Sequence, residues 1–308
     1  MPQRLTLALL FTAASALLAN ASVQAASDLW STDFEKSKRV AAEDDRRELL
    51  LEFTGSDWCP PCIALHKNVL SKEVFREKMP EHFVMVKLDN PRDKSKQTEA
   101  EQKQYRELSQ RYSVRGVPTV MLVDEEGRPY AQWSGYGGQE AGPWIEKVIA
   151  AKAIRKRRDA AMAEAEKAEG AERAKHLAEA LAPMDAKLVT TAYRDTVEKI
   201  IKLDADNELG LKARYENLLK MGTVERELRT LMGKHRNDPS GLVKAIDAMI
   251  DKHDLGHEPL QMALMYKSFG QFRGDRAAAK ATLEKALAAA PESQRADQIR
   301  EMMAQAFE

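Results

Sequence analysis

The chain of 308 residues contains only two cysteines, Cys59 and Cys62. Because no third thiol is present, a disulfide within one molecule can only join these two residues, and it closes a very small ring. A structural disulfide stabilises a protein mainly by closing a long loop, whereas a ring this short constrains the unfolded chain little. The spacing therefore favours a chemical role for the two sulfurs over a structural one.

The scarcity of cysteine also argues against metal and haem sites. Structural zinc needs about four ligands, and no further cysteines are present to supply them. Ile63 stands directly after Cys62, where covalent haem attachment requires histidine. We therefore expect no metal ion and no cofactor beyond a redox-active disulfide between Cys59 and Cys62. Binding of Cu(I) by the same two sulfurs is an alternative.

A net charge is also lacking, because 48 basic residues balance 48 acidic ones. Without an excess of positive charge there is no global field to attract nucleic acid or an anionic membrane, and neither is expected as a partner. Aromatic residues make up 6% of the chain and charged residues 31%. This composition suits long solvated helices better than a sheet-rich protein, and the length allows two domains.

Long apolar runs are missing except near the N-terminus. Arg4 precedes an apolar run from Leu5 to Leu18, and Val23 to Ala25 offers small residues for cleavage. The run is short for a membrane span, so residues 1–25 are predicted to be a cleavable signal peptide. We expect a periplasmic or secreted mature protein with no stable membrane insertion, in a compartment where a dithiol can cycle between its two oxidation states.

The two cysteines are predicted to follow a strand and to open a helix. Glu48 to Phe53 form a short apolar run that ends at Thr54-Gly55-Ser56, which is typical of a buried strand entering a loop. From Pro61 onward the apolar residues recur at helical spacing, and proline is tolerated in a first helical turn. The positive end of a helix favours a thiolate, so Cys59 is expected to attack and Cys62, one turn inside, to resolve.

More alternating elements are predicted up to about residue 153. They are a strand from His82 to Leu88, a helix from Gln97 to Tyr112, a strand ending at Val123, a hairpin partner from Tyr130 to Ser134, and a helix from near Pro143. The strand that ends at Val123 is preceded by Gly116-Val117-Pro118-Thr119.

This order of elements resembles the thioredoxin family, and the secreted bacterial thioredoxin-like branch in particular. The resemblance rests on Trp58-Cys59-Pro60-Pro61-Cys62 at a helix start and on the Gly-Val-Pro-Thr segment before a strand. It covers residues 28–153 and implies an α/β thioredoxin fold with Pro118 in a cis peptide bond facing the dithiol. Gly116 and Val117 would then bind an extended substrate segment, and Trp58 would add a contact surface.

The resemblance also implies roles for two charged residues. Glu52 falls where the family keeps a buried acid near the resolving cysteine, and Lys87 falls on the lysine that pairs with this acid. Alternative interpretations remain open at this point. The sequence is also compatible with a Glu52 side chain that faces solvent from an edge strand. It is equally compatible with an ordinary trans peptide bond at Pro118 and with a packing role for Trp58.

Residues 154–308 are predicted to form an all-α, repeat-like domain. The stretch from Arg155 to Gly170 is expected to continue the last thioredoxin helix outward, with Arg155 to Arg158 on a solvated face. Breaks at glycine and proline divide the remainder into helices, including one near Gly222. Glu258 to Ser293 resembles a tetratricopeptide repeat, a class that presents a surface to partners.

Together these features predict an exported thiol-disulfide oxidoreductase that exchanges with protein thiols and disulfides and depends on a membrane or periplasmic redox partner. Pro60 and Pro61 lack an N–H that could stabilise a thiolate, and Asp57 would repel one. A poorly stabilised thiolate makes a dithiol reducing, so we expect a reductant. The alternative is a cell-envelope interaction scaffold that works through its helical domain and has incidental redox activity.

Overall fold

The computed structural model describes residues 29–44 and 47–307. The predicted signal peptide, residues 1–25, lies outside the described residues, so this prediction is untested. Contacts divide the chain into two units, the first ending at Arg194 and the second beginning at Asp195. Among the described residues, no helix combines the length and the apolar character needed to cross a membrane.

A five-stranded sheet forms the centre of the first unit. The strands are β1 (Trp30–Ser31), β2 (Glu48–Thr54), β3 (Phe83–Asp89), β4 (Thr119–Val123) and β5 (Pro129–Ser134). Their order across the sheet is β1-β3-β2-β4-β5. β3 runs parallel to β1 and β2, whereas β4 is antiparallel to β2 and β5. β2, which delivers the chain to the cysteines, is therefore an interior strand.

Helices flank this sheet. They are α1 (Phe34–Ala42), α2 (Pro60–Leu65), α3 (Glu73–Lys78), α4 (Glu99–Arg111), α5 (Ala141–Ala150), α6 (Lys152–Lys167), α7 (Gly170–Leu181) and α8 (Ala186–Ala192). A π-helical turn, His66–Leu70, continues α2, and short 3-10 turns lie at Met79–Glu81 and Lys94–Lys96. A mixed sheet flanked by helices confirms the predicted fold class.

The alternation of side chains along β2 divides the core of this unit into two layers. Leu50 belongs to a buried cluster with Leu65 of α2. Leu51 belongs to a second buried cluster with Leu108 of α4. Successive side chains of a strand point to opposite faces of the sheet, so Glu52 lies on the same face as Leu50. The fold therefore places Glu52 on the face that α2 covers.

Two elements before β2 were not predicted. β1 is only two residues long and pairs with β3, so it leaves no alternating pattern in the sequence. α1 begins at Phe34, whose side chain is buried, and Asp33 caps it by accepting a hydrogen bond of 2.9 Å from the N–H of Lys36. The N-terminal cap is a local signal that sequence analysis overlooked.

The prediction of a solvated basic face at Arg155 to Arg158 was wrong for Arg155 and Arg158, whereas Lys156 and Arg157 are exposed as predicted. Arg158 of α6 is only 2% exposed. Its Nη2 lies 2.7 Å from Oδ2 of Asp124, and its Nη1 donates a hydrogen bond of 3.0 Å to the hydroxyl of Tyr193. Asp124 is fully buried at the end of β4, so a cation is needed beside it. This buried ion pair binds α6 to the sheet instead of leaving it as an outward connector.

Arg155, on the same helix, is also held by the sheet. Its guanidinium lies 3.7 Å from Glu48 at the start of β2 and 2.7 Å from Glu125 in the β4–β5 turn. The Tyr130 hydroxyl donates a hydrogen bond to Glu48. Residues 154–194 therefore belong to the first unit, which ends at Arg194.

The second unit is helical throughout its described elements. α9 (Arg194–Leu203) begins at the boundary between the units, and the other helices are α10 (Leu211–Lys234), α11 (Pro239–His253), α12 (His257–Gln271), α13 (Arg276–Ala289) and α14 (Gln294–Phe307). The predicted break near Gly222 was wrong, because α10 runs through it. An interior glycine costs a helix about 1 kcal/mol, and the buried side chains of Tyr215, Val224 and Leu228 compensate for that loss.

The helical region after the sheet unit was correctly predicted as a class. α12 and α13 correspond to the two helices of the segment that resembles a tetratricopeptide repeat, and Asp275 caps α13 by accepting a hydrogen bond from the N–H of Ala278. The assignment of these helices to that repeat family stays a prediction.

Candidate active site

Cys59 and Cys62 form a disulfide at the start of α2, with their Cα atoms 5.2 Å apart. Cys59 is the N-terminal cap of the helix, and its carbonyl accepts a hydrogen bond of 3.0 Å from the N–H of Ile63. Both cysteines are buried, with 3% of Cys59 and 1% of Cys62 exposed. The pair therefore sits where the partial positive charge of a helix end acts on Cys59.

Two prolines occupy the first two positions of α2. Pro60 and Pro61 fit there because the N–H groups of a first turn have no partner within the helix. Of the first three helical residues only Cys62 carries an N–H. A Cys59 thiolate consequently has fewer backbone donors than the first turn of a helix normally offers.

The loop before the cysteines is fastened to the end of β3. Ser56 donates from its N–H to Oδ1 of Asp89 over 3.0 Å and from its hydroxyl to Oδ2 over 2.5 Å. The indole N–H of Trp58 donates to the carbonyl of Asn90 over 2.8 Å. A Cβ atom on Gly55 would lie 2.5 Å from Cε2 of Trp58, so glycine is needed for this close approach. Trp58 is held in place while 39% of it stays exposed.

Asp57 is engaged by the segment that follows β3. It accepts hydrogen bonds from the N–H of Arg92 over 2.8 Å and from Lys96 Nζ over 3.3 Å. The Arg92 hydrogen bond, together with Lys96, lowers the pKa of Asp57. Because Lys96 balances its charge, Asp57 repels a thiolate less than the sequence suggested.

The segment before β4 lies against Cys59. The Val117–Pro118 peptide bond is cis, as the resemblance implied. Sγ of Cys59 lies 3.5 Å from the carbonyl oxygen of Val117. The hydroxyl of Thr119 donates to the carbonyl of Gly116 over 2.9 Å, and the N–H of Gly135 donates to the carbonyl of Pro118 over 2.8 Å. The fold thus brings the attacking cysteine and a partly exposed backbone segment together.

Glu52 is buried in the middle of the sheet, with 2% of its surface exposed. The alternative of an edge position is wrong, because β2 lies between β3 and β4. Burial raises the pKa of Glu52 to about 7, although the positive charge of Lys87 and a hydrogen bond with Thr54 oppose this rise. A carboxyl group that titrates near neutral pH on the α2 face is suited to exchanging a proton.

Lys87 is the direct neighbour of Glu52 in the register of β2 and β3. Its ion pair, however, is with Asp89, whose Oδ2 lies 3.7 Å from Nζ. The side chain therefore acts on Glu52 through its charge while it pairs with another acid. Sequence analysis missed Asp89, although an acid two residues after Lys87 must lie on the same face of β3.

Comparison with known proteins identifies relatives of the region that carries this site. A family profile described as "Thioredoxin-like domain" matches residues 34–148. The "Disulfide bond reductase DsbH" of Chlamydia pneumoniae is 32% identical over 114 residues, which cover 37% of this chain and 68% of that protein. The "Thioredoxin-related protein DsbJ" of the same organism is 25% identical over 111 residues, covering 36% of this chain and 31% of that protein.

Two solved structures also match. A "DsbH Oxidoreductase" structure has 28% identity and a TM-score of 0.37, covering 40% of this chain and 82% of that chain. The oxidised C-terminal domain of DsbD from Neisseria meningitidis has 20% identity and a TM-score of 0.28, covering 42% of this chain and 92% of that chain. On the sequence matches, the chain belongs to the thioredoxin-like family. It is a thiol-disulfide oxidoreductase of that family.

Proposed function

We propose that this chain is an exported reductant of disulfides in protein substrates. The contact of Cys59 with the partly exposed Val117 backbone carries this proposal, because it puts the attacking sulfur beside a segment that can pair with an extended chain. Export rests on the signal peptide predicted at residues 1–25.

The first step requires the reduced protein. A Cys59 thiolate attacks one sulfur of the substrate disulfide, a new S–S bond forms, and the substrate bond breaks. The second substrate sulfur leaves as a thiolate and takes a proton from water. Gly116 and Val117 would hold the substrate backbone, and the exposed face of Trp58 would contact its side chains.

The second step releases the substrate. Glu52 accepts the proton of the Cys62 thiol, and the resulting thiolate attacks Sγ of Cys59. The mixed disulfide breaks, the first substrate sulfur leaves as a thiolate, and Cys59 and Cys62 become joined. Two electrons pass to the substrate in total. The oxidised product of this step is the state of the two cysteines in the structure.

The expected direction follows from the weak stabilisation of the Cys59 thiolate. Pro60 and Pro61 contribute no N–H, and a dithiol whose reduced form is poorly stabilised gives up electrons readily. The name "Disulfide bond reductase" of one relative is consistent with this direction. A membrane or periplasmic dithiol donor would have to return the electrons after each cycle.

The direction is tested by the equilibrium redox potential of the Cys59/Cys62 pair, measured by glutathione or dithiothreitol titration with thiol trapping. A value near the thioredoxin potential of about −270 mV supports a reductant. A value near about −120 mV, typical of the strongest oxidants of this fold, contradicts it.

The mechanism is tested with Cys59→Ser and Cys62→Ser. Cys59→Ser is expected to abolish reduction of insulin, and Cys62→Ser to accumulate mixed disulfides that dithiothreitol releases. The Cys59→Ser/Cys62→Ser double variant is the matched control, since it removes both sulfurs and should form no mixed disulfide. Full insulin reduction by either single variant contradicts the assignment.

A second candidate function assigns the main role to the helical region, which would capture a partner in the cell envelope. It is favoured by two large apolar side chains exposed in the second unit, Met232 at 39% and Phe269 at 44%. A scaffold retains partner capture in the double cysteine variant, whereas an exchanger loses its covalent complexes. Crosslinking of both proteins under identical conditions distinguishes the two functions.

A further inference from the structure

Asp89, the last residue of β3, contacts two separate parts of the site. Its carboxylate binds the loop that leads to the cysteines, and it also binds the lysine that faces Glu52. The Asp89 side chain is only 18% exposed, so these contacts replace most of its hydration. An ionised carboxylate in this position needs both kinds of partner.

The first set of contacts fixes the loop. Asp89 accepts two hydrogen bonds from Ser56, at 3.0 Å and 2.5 Å, and one of 2.9 Å from the N–H of Asn90. Asn90 in turn accepts the indole N–H of Trp58, and its own N–H donates to the carbonyl of Thr54 over 2.9 Å. The position of Trp58 therefore depends on the end of β3.

The second contact concerns charge. Nζ of Lys87 lies 3.7 Å from Oδ2 of Asp89, and Lys87 is the register neighbour of Glu52. Alternation along β3 places Lys87 and Asp89 on the same face of the sheet as Glu52. Lys87 thus contacts Asp89 directly and acts on Glu52 through its charge at longer range.

The groups around Glu52 leave Lys87 and Asp89 as the charges that act on it. Within β2 the hydrogen-bonding neighbour is the neutral Thr54, and the β4 partner is the apolar Val120. α2, which packs on this face through Leu65, carries no charged side chain. The π-helical turn contributes His66. Burial, and to a smaller extent the charge of Lys87, lowers the pKa of His66, so this side chain is mainly neutral at pH 7.

We propose that Asp89 is a positioning residue for disulfide exchange. Its carboxylate anchors the loop that presents Trp58 and, through Lys87, fixes the charges that face the Glu52 carboxyl. This inference rests on the proposed function, in which Glu52 exchanges a proton with Cys62. Asp89 itself touches neither sulfur in this mechanism.

The direction of the effect follows from the signs of the charges. Asp89 repels the carboxylate form of Glu52 and engages the ammonium that would stabilise it, and both effects keep the pKa of Glu52 high. Without the charge on Asp89, Lys87 acts on Glu52 alone. Glu52 then gives up its proton at lower pH and becomes a weaker base for the Cys62 thiol.

The test is Asp89→Asn in the oxidised full-length protein. Asparagine keeps one oxygen that can accept from the N–H of Ser56, removes the charge, and replaces the oxygen that faces the Ser56 hydroxyl and Lys87 with an NH2 group. Carboxyl ¹³C NMR follows the titration of Glu52 directly. We expect its midpoint to fall by at least about half a pH unit, and the pH profile of insulin reduction to shift in the same direction.

Two further variants separate charge from structure. Ser56→Ala loosens the loop without changing any charge, so it should raise KM for insulin and leave the Glu52 titration in place. Lys87→Met removes the attracting charge and keeps the contacts between Asp89 and Ser56, so it should move the Glu52 midpoint to higher pH. It tests the same charge pair if Asp89→Asn folds poorly.

An unchanged Glu52 titration in both Asp89→Asn and Lys87→Met overturns the inference. The proton transfer from Cys62 to Glu52 in the proposed function is overturned by a different result. That result is a Glu52→Gln variant whose pH profile for insulin reduction matches that of the parent protein. The first failure is read from NMR without turnover and the second from turnover alone, so the two failures are distinguishable.

Discussion

Arg158 provides the sharpest test of how the region after residue 153 is attached to the sheet. Replacing it with leucine keeps a side chain suited to a helix and removes the buried guanidinium. Asp124, which is fully buried, then loses the cation 2.7 Å from its Oδ2. The hydroxyl of Tyr193 loses its hydrogen bond from Arg158 and keeps the one it donates to the carbonyl of Pro129 over 2.8 Å.

Breaking a buried ion pair by removing one partner lowers the free energy of unfolding by about 3–5 kcal/mol, because it leaves an uncompensated charge. Asp124 retains hydrogen bonds from the N–H groups of Glu126 and Arg128 and an ion pair with the Arg128 side chain. Because Asp124 keeps these contacts, we expect Arg158→Leu to lower the free energy of unfolding by about 3 kcal/mol, at the lower end of this range. Such a loss lowers the ratio of folded to unfolded protein roughly 100-fold.

The assay is urea unfolding followed by tryptophan fluorescence. All four tryptophans of the chain, Trp30, Trp58, Trp133 and Trp144, lie in the first unit, so the signal reports on the unit that contains Arg158. Arg157→Leu is the matched control, because Arg157 is exposed on the same helix. We expect the control to change the free energy of unfolding by less than about 0.5 kcal/mol.

The effect should also depend on pH. Burial raises the pKa of Asp124, but the hydrogen bonds from Arg128 and the charge of Arg158 outweigh it and hold the pKa below its ordinary value. A depressed pKa contributes stability above the unfolded value near 3.8, and this stability is lost as pH falls through the folded pKa. The difference between Arg158→Leu and the parent protein should therefore be largest at neutral pH. Equal midpoints for Arg158→Leu and Arg157→Leu at pH 7 would refute the reasoning.

Two further predictions concern Glu52 and Gly55. The unfolded state loses the Glu52 proton near pH 4.5 and the folded state near 7, so stability falls as pH rises through this range. Glu52→Gln removes that loss and should be more stable than the parent protein at pH 8, by up to about 3 kcal/mol. The measurement is urea unfolding of both proteins at pH 5 and pH 8. If the Glu52 carboxyl were already ionised at pH 5, the difference in stability between the two proteins would not change with pH. Gly55→Ala should displace Trp58, because its Cβ would lie 2.5 Å from the indole. A changed emission spectrum and a raised KM for insulin are expected, and an unaltered spectrum would show that the ring does not need the space.

The local features of the site were predictable from the sequence. Cys59 and Cys62 after an apolar strand, with prolines in the first helical turn, define a dithiol at a helix start by short-range rules alone. Between β2 and α5 the same rules predicted every strand and helix within a few residues except α3, Glu73–Lys78, which was missed. These signals lie within stretches of sequence shorter than one element.

The charged contacts that sequence analysis missed or misjudged depend on residues far apart in the chain, whereas the N-terminal cap of α1 is a local signal that was overlooked. Asp89 meets Ser56 across 33 positions, and Arg158 meets Asp124 across 34. Basic residues on a helix are expected to be exposed when they have no partner. Arg158 is buried because it pairs with the buried carboxylate of Asp124 at the end of β4. Likewise, the helical packing around Gly222 overrode its intrinsic preference against a helix.

The chemistry of this protein could be inferred from its sequence, because two cysteines in one helical turn and the Gly-Val-Pro-Thr segment leave few other interpretations. The electrostatics of the site, in contrast, depends on tertiary contacts. The burial of Glu52 and the pairing of Lys87 with Asp89 follow from which side chains share a sheet face. The burial of Arg158 follows from its contacts with Asp124 and Tyr193. A face is assembled from strands far apart in the chain, and burial there multiplies the effect of each charge by removing water.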